Sequence, residues 1–257
     1  MIKVVIIGSG NVAQHLIAAF ENSKRDGNAV DLIQVFARKR EKLVRLLDSN
    51  RITDNYAEIV EADLYIIAVS DHAIMNVVAN LNFKNRLVVH TSGSFPINAL
   101  NDSNRRGVFY PLQTFSKNKA VNFKLIPICL ESENATDFQL LSTAAKTISE
   151  SVFAINSKQR KALHVAAVFV NNFTNYMYQM GHQICQEHHV PFEILKPLIA
   201  ETANKIMVLS PQESQTGPAI RNDSETLQAH QDFLSDENQL YIYKIITLAI
   251  QKNGKKL

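Results

Sequence analysis

The chain has 257 residues, of which 46% are hydrophobic and 20% charged, with eight glycines and seven prolines; this allows one large or two modest cores and argues against extensive disorder. Its 27 basic and 24 acidic side chains leave a net charge of +3, without the concentrated basic face that nucleic-acid or membrane-surface binding requires. No run approaches the roughly 20 apolar residues that span a bilayer, the start MIKVVIIGSG lacks a leader's long apolar stretch and cleavage site, and Cys129 and Cys185 fit a reducing compartment. A cytoplasmic protein with a small-molecule partner, and neither nucleic acid nor membrane, is expected.

Residues 2–7 (IKVVII) form a near-continuous β-branched run, the pattern of a strand buried on both faces. Gly8-Ser9-Gly10 ends it, and a helical pattern follows over 11–23. The alternation continues with a strand at 30–37, a helix at 39–48, a strand at 63–69, a helix at 72–80 and a strand at 87–90. Further strands are expected at 107–110, 125–130 and 152–155, with a helix at 135–149. Strands separated by helices predict right-handed crossovers and a doubly wound parallel sheet. From Ser157 to His189 there is no proline and only one glycine, Gly181, so one long helix is expected. Pro191, Pro197, Pro211 and Pro218 then separate helices near 192–209, 223–234 and 237–252. The reading is an α/β domain over 1–155 and an all-helical domain over 156–257.

The turn Gly8-Ser9-Gly10-Asn11-Val12-Ala13 carries the first functional signal. Between a buried strand and a helix, the first glycine permits a tight turn and the second lets backbone approach a pyrophosphate resting on the helix N-terminus. Ala13 stands where a third glycine is usual, and a small side chain suffices there. The end of the second strand reads Phe36-Ala37-Arg38-Lys39-Arg40 and has no acid for a ribose hydroxyl; Asp31 lies at the opposite end. Arg38 with Lys39 or Arg40 suits a 2′-phosphate, which favours NADP (NADPH) over NAD; the alternative is a solvated basic helix start. Ser70-Asp71-His72 and His90-Thr91-Ser92-Gly93-Ser94 follow buried strands at the sheet's carboxyl edge, where ligands bind, although ordinary turn and cap chemistry yields the same residues. Ser70 and Asp71 are assigned to the cofactor.

No Tyr-x-x-x-Lys pair, phosphate loop, His-Glu-x-x-His or Gly-x-Ser-x-Gly pattern occurs. His182, Cys185, His188 and His189 share a helix, but one straight helix cannot surround an ion tetrahedrally, so no metal is expected. His164 and Asn171 stand seven residues apart, on one face of a regular helix, as a site pair or as hydrogen-bonded core groups. Gly217-Pro218-Ala219-Ile220-Arg221-Asn222-Asp223 reads as a turn whose Arg221 suits an anionic substrate group and whose Asp223 suits a helix cap.

Together with Gly107-Val108-Phe109-Tyr110-Pro111-Leu112-Gln113-Thr114-Phe115 and His164 with Asn171-Asn172-Phe173, these segments resemble a bacterial family that joins an NADP-oxidoreductase-like Rossmann domain to a helical domain of unknown function. That family is similar to pyrroline-5-carboxylate reductases, 6-phosphogluconate dehydrogenases and β-hydroxyacid dehydrogenases. The resemblance implies a helical domain like the C-terminal one of 6-phosphogluconate dehydrogenase, a homodimer, and hydride transfer to or from a carbonyl or imine of a small polar metabolite in a cleft between the domains. β-Hydroxyacid dehydrogenases carry a catalytic lysine and an asparagine on the corresponding helix; here His164 stands in that region, with Lys161 three residues before it. His164 is therefore expected to donate a proton, with Asn171 as its orienting partner. Ser92, Gly93, Gln113 and Arg221 are expected to contact substrate, Ser92 also to serve catalysis, and Gly8, Ser9, Gly10, Asn11, Val12, Arg38 and Lys39 to hold NADP. A non-catalytic NADP-binding sensor or scaffold, or a deazaflavin-dependent enzyme, remains open. Tyr241, Ile242, Ile245, Ile246 and Leu248 suggest a dimer face or an internal core.

Overall fold

In the computed structural model, residues 1–25, 29–117 and 119–254 are described. Two compact units divide the chain, Met1–Asn171 and Asn172–Leu257.

The first unit is built on an eight-stranded sheet, β1 (Ile2–Ile7), β2 (Val30–Phe36), β3 (Ile52–Thr53), β4 (Leu64–Ile67), β5 (Leu87–His90), β6 (Arg105–Pro111), β7 (Ile128–Ser132) and β8 (Val152–Ala154). The spatial order is β3-β2-β1-β4-β5-β6-β7-β8, so the winding reverses between β1 and β4. All pairs are parallel except β6 and β7, which run antiparallel with Tyr110 opposite Cys129. That departure follows from the connection between them: residues 112–127 contain only the short 3-10 turn Phe123–Leu125 among the described residues, and no crossover helix.

The apolar run of β1 works on two faces, as its composition requires. Val4 and Ile6 pack with Leu16, Ile17 and Phe20 of α1 (Asn11–Arg25), whereas Val5 and Ile7 pack with Ile74, Val77 and Val78 of α2 (Asp71–Ala79). The helix α3 (Ala135–Lys146) adds Leu141, Ala144 and Ala145 to the α1 face. The helix expected over 39–48 is absent: Arg40–Lys42 and Ser49–Arg51 are single 3-10 turns, and only Leu43 and Leu47 are buried between them. Two apolar contacts suffice to pin a turn but not a longer helix, whose stability in a protein comes from a packed face.

The first unit also contains α4 (Ser157–Ala167), which opens with a capping box between Asn156 and Gln159. Its anchor is Arg160, 1% exposed, whose guanidinium pairs with Glu131 of β7 and donates to the Phe95 carbonyl at 2.6 Å. Glu131 also accepts from the Ser157 amide at 2.8 Å and sits at the positive end of α4. The expected single helix over 157–189 is interrupted by a π-helix, Val168–Phe173, before α5 (Thr174–Glu187).

Within the second unit, α6 (Lys196–Lys205), α7 (Pro211–Ser214), α8 (Ser224–Phe233) and α9 (Glu237–Gly254) follow, α8 being capped by Asp223, which accepts from the Thr226 amide at 3.1 Å. None of the described helices is long and apolar enough to cross a membrane.

Breaking a buried ion pair leaves one charge stranded, at a typical loss of about 3 to 5 kcal/mol. Because Ser157 still serves Glu131, Arg160→Met is expected at the lower end, about 3 kcal/mol in denaturant unfolding, with Glu131→Gln in the same chain restoring part of it. A loss below about 1 kcal/mol, the range of an exposed pair, would contradict this anchoring.

Candidate functional site

Two hollows lie at the carboxyl edge of the sheet, both in the first unit. The larger, about 870 Å³, is lined by Gly8, Ser9, Gly10, Ala37, Arg38, Lys39, Lys42, Tyr56, Val69, Ser70 and His72 among others. It opens where the strand order reverses, the position at which sheets of this winding bind ligands. Gly8 has φ +141°, and a β-carbon there would lie 2.2 Å from the Ala68 carbonyl oxygen, so glycine is required for the turn. A β-carbon on Gly10 would meet nothing within 4 Å, which leaves open space before the N-terminus of α1, and no acid stands in that helix's first turn. An uncluttered, positive helix end facing a cleft fits a pyrophosphate.

Arg38 and Lys39 line this cleft as expected, and Lys42 joins them. Arg40 does not: its guanidinium donates to the Ser49 carbonyl at 3.2 Å and lies 3.9 Å from Asp54. Asp31 is paired with Lys24 at 2.6 Å. Tyr56 stacks on Phe36 with ring centroids 4.2 Å apart, and burial pushes its phenol up from the usual value. Ser70 stands at the N-cap position of α2, but its hydroxyl makes no cap bond and lies 3.3 Å from His72 Nε2.

The second hollow, about 350 Å³, shares Val69 with the first and is lined by Val12, Asp71, Thr91, Ser92, Gly93, Ser94, Tyr110, Gln113 and His164 among others. Its centre is a contact the sequence does not reveal: Tyr110 Oη and His164 Nδ1 are 3.1 Å apart. Gly93 permits it, since a β-carbon there would stand 2.5 Å from His164 Nδ1 and 2.9 Å from Tyr110 Cζ. Burial pushes the Tyr110 phenol up to about 12, so it remains an O–H group at neutral pH. With Nδ1 engaged, Nε2 is the ring nitrogen of His164 left for a ligand.

Ser92 is almost wholly buried, and its hydroxyl oxygen accepts from the amides of Ser94 at 3.1 Å and Phe95 at 2.9 Å. Both lone pairs being taken, this hydroxyl can only donate. Its amide is occupied too, donating to His90 Nδ1 at 3.1 Å. That bond makes Nδ1 the bare nitrogen of His90 and places the ring proton on Nε2, which has no hydrogen-bond partner among the described residues. Burial, reinforced by Arg160, lowers the His90 pKa to about 3.

The other expected residues separate. Asp71 lines the His164 hollow rather than the glycine cleft, and Val12 does the same. Asn11 ties α1 to the segment after β6, its Nδ2 donating to the Phe115 carbonyl at 2.9 Å. Gln113 lines the hollow, but its Oε1 accepts from the Thr114 amide at 2.8 Å. Asn171 is not the partner of His164: it is exposed, outside the hollow, and lies in the π-helix, which breaks the helical register of about 3.6 residues per turn on which that pairing rested. Tyr110 takes the place next to His164. Lys161 is exposed. Arg221 belongs to the second unit, is exposed, and lies 4.0 Å from Asp223. There His182 rests against Phe192 and His188 against Phe233, ring centroids 5.1 and 4.5 Å apart.

Residues 3–93 match a family described as NADP oxidoreductase, coenzyme F420-dependent, and residues 126–250 match a domain of unknown function, DUF2520. A solved structure from Bacteroides fragilis, assigned to the NADP oxidoreductases, is 36% identical, with 98% of each chain covered and a TM-score of 0.87. The chain belongs to this NADP oxidoreductase family. At the level of fold alone it is similar to a reductive aminase from Aspergillus terreus solved with NADPH and ethyl-5-oxohexanoate (13% identity, 98% of this chain and 94% of that one, TM-score 0.68). The same holds for a pyrroline carboxylate reductase from Plasmodium falciparum with NADP bound (13% identity, 99% and 97%, TM-score 0.61). No curated protein matches.

Because the folded pKa of His90 is depressed, the unfolded chain binds the extra proton first. The stability that the neutral ring supports is present above about pH 6.5 and lost as pH falls toward 3, with a slope approaching about 1.4 kcal/mol per pH unit. The stability difference between the native chain and His90→Asn should therefore shrink from pH 7.5 to pH 4.5 in denaturant titrations. A difference independent of pH would show that His90 titrates normally.

Proposed function

We propose that the chain binds NADPH along the glycine cleft and reduces a carbonyl or imine of a small polar metabolite in the His164 hollow. The observation that carries this reading is adjacency: the two hollows share Val69, and the second gathers a histidine, a protonated tyrosine and a serine hydroxyl that can only donate.

Gly8 to Gly10 and the N-terminus of α1 would hold the pyrophosphate. Arg38, Lys39 and Lys42 would hold the 2′-phosphate, and the Phe36–Tyr56 stack offers a flat apolar wall. When bound, NADPH supplies the hydride. His164 gives a proton from Nε2 to the substrate heteroatom, while Tyr110 holds Nδ1 and fixes the ring. The Ser92 hydroxyl donates to a ligand carbonyl. In the second unit, the exposed Tyr241, Ile245, Ile246 and Leu248 of α9 support the expectation of a homodimer.

Calorimetric titration with NADPH and with NADH, followed by single-turnover oxidation of NADPH with a carbonyl and imine panel, tests this reading. Arg38→Asp should weaken NADPH by about tenfold or more while sparing NADH, since a charge-assisted bond to phosphate is replaced by repulsion. His164→Ala should keep NADPH affinity and lose turnover by about a hundredfold or more. Binding without hydride transfer to any substrate would favour the sensor reading, and no binding of either nucleotide would remove both.

A further inference from the structure

The His164 hollow is charged in an unexpected sense. Among its lining residues Asp71 is the one acid, and none is lysine or arginine. The expectation of an anionic substrate rested on Arg221, which is not among them. Asp71 is the first residue of α2, where the helix end favours a carboxylate, and Ser94 Oγ donates to its Oδ2 at 2.7 Å, leaving Oδ1 for a ligand. Arg160, the buried arginine of this unit, gives its guanidinium to Glu131 and the Phe95 carbonyl and does not line the hollow. At the Tyr110 phenol, which burial and Cys129 push up, Arg160 acts downward and Asp71, more weakly, upward; what sets Asp71 apart is that it lines the hollow while Arg160 does not.

We propose that Asp71 selects a C=N substrate with a protonated nitrogen over a ketone or aldehyde of the same shape. This rests on reading the hollow as the place of NADPH-dependent reduction. With His164 carrying a proton on both ring nitrogens and Nδ1–H donating to Tyr110 Oη, the Nε2–H bond breaks as that proton bonds to the imine nitrogen, leaving the ring neutral and the imine cationic. The hydride supplied by NADPH then forms a C–H bond at carbon while the C=N π pair moves onto nitrogen, and NADPH becomes NADP⁺. Positive charge rests on nitrogen before the hydride arrives, and again once the product amine is protonated, so a fixed carboxylate stabilises both. Carbonyl reduction instead gathers negative charge on oxygen, which the same carboxylate repels.

The test measures binding, separately from turnover. The full chain saturated with NADPH is titrated calorimetrically at pH 7 with cyclohexylammonium and with cyclohexanol, a neutral ligand of equal shape. The ammonium should bind about tenfold tighter, as a charge-assisted contact implies. Asp71→Asn, a change at an exposed side chain, should bring the two within about twofold and leave NADPH affinity as it was. Equal affinity of the two probes, failure of the ammonium to bind, or a preference that survives in Asp71→Asn would overturn the proposal. Loss of NADPH affinity in Asp71→Asn would overturn it as well, by assigning this carboxylate to the cofactor. If the unmodified chain does not bind NADPH, the underlying reading fails first, which the initial titration shows on its own.

Discussion

The ion pair between Arg160 and Glu131 is the constraint on which the site depends. Burying two charges gains little net stability, because desolvation consumes most of their attraction. What the pair fixes is position. It binds the first turns of α4 to β7 and to the Phe95 carbonyl, and His164 stands one helical turn further on the same face. Gly93 then supplies the clearance and Tyr110 the hydrogen bond that hold the imidazole. Ion pair, glycine and phenol come from four segments, and each limits where the ring can go.

The sheet provides the other half of the arrangement. Each inner strand is apolar on both faces, so helices cover both, and the turns into α1 and α2 after the parallel strands β1 and β4 emerge at one edge, whereas those into α3 and α4 after β7 and β8 leave at the other. At the former edge the segments after β1, β2 and β4 build the glycine cleft, while those after β5 and β6 build the His164 hollow. His90 and Ser92 show how rigid the boundary is: the turn after β5 satisfies its own amides with a bare imidazole nitrogen and a serine oxygen, leaving one hydroxyl proton for a ligand.

Local pattern made much of this legible. A β-branched run, two glycines and a helix are sufficient for β1, its turn and α1, and of the basic residues after Phe36, Arg38 and Lys39 fall on the cleft while Arg40 turns to Ser49 and Asp54. The segment over 39–48 misled because its charges alternate helically while only Leu43 and Leu47 are fully buried and Leu46 partly so. Asn171 misled for a different reason: periodicity assumes one pitch, and a π-helix is not marked by residue type. Tyr110 was visible as the end of a strand, but its contact with His164 spans 54 positions and depends on Gly93 being small, a long-range fact that local spacing does not carry. Asp71 sits beside Ser70 in sequence and in a different hollow in space, because consecutive residues at a helix start point a third of a turn apart.

The central claim is that a nucleotide held by the glycine turn presents its reactive end to His164. Nuclear magnetic resonance of the chain with ¹⁵N-labelled histidine and backbone, titrated with NADPH, tests it directly. The account expects shifts at Gly10, Arg38 and Val69 and, at the same nucleotide concentration, a change in the imidazole signals of His164 while His90 keeps its neutral, Nε2-protonated pattern. Shifts confined to the glycine turn, with His164 unaffected at saturation, would contradict it.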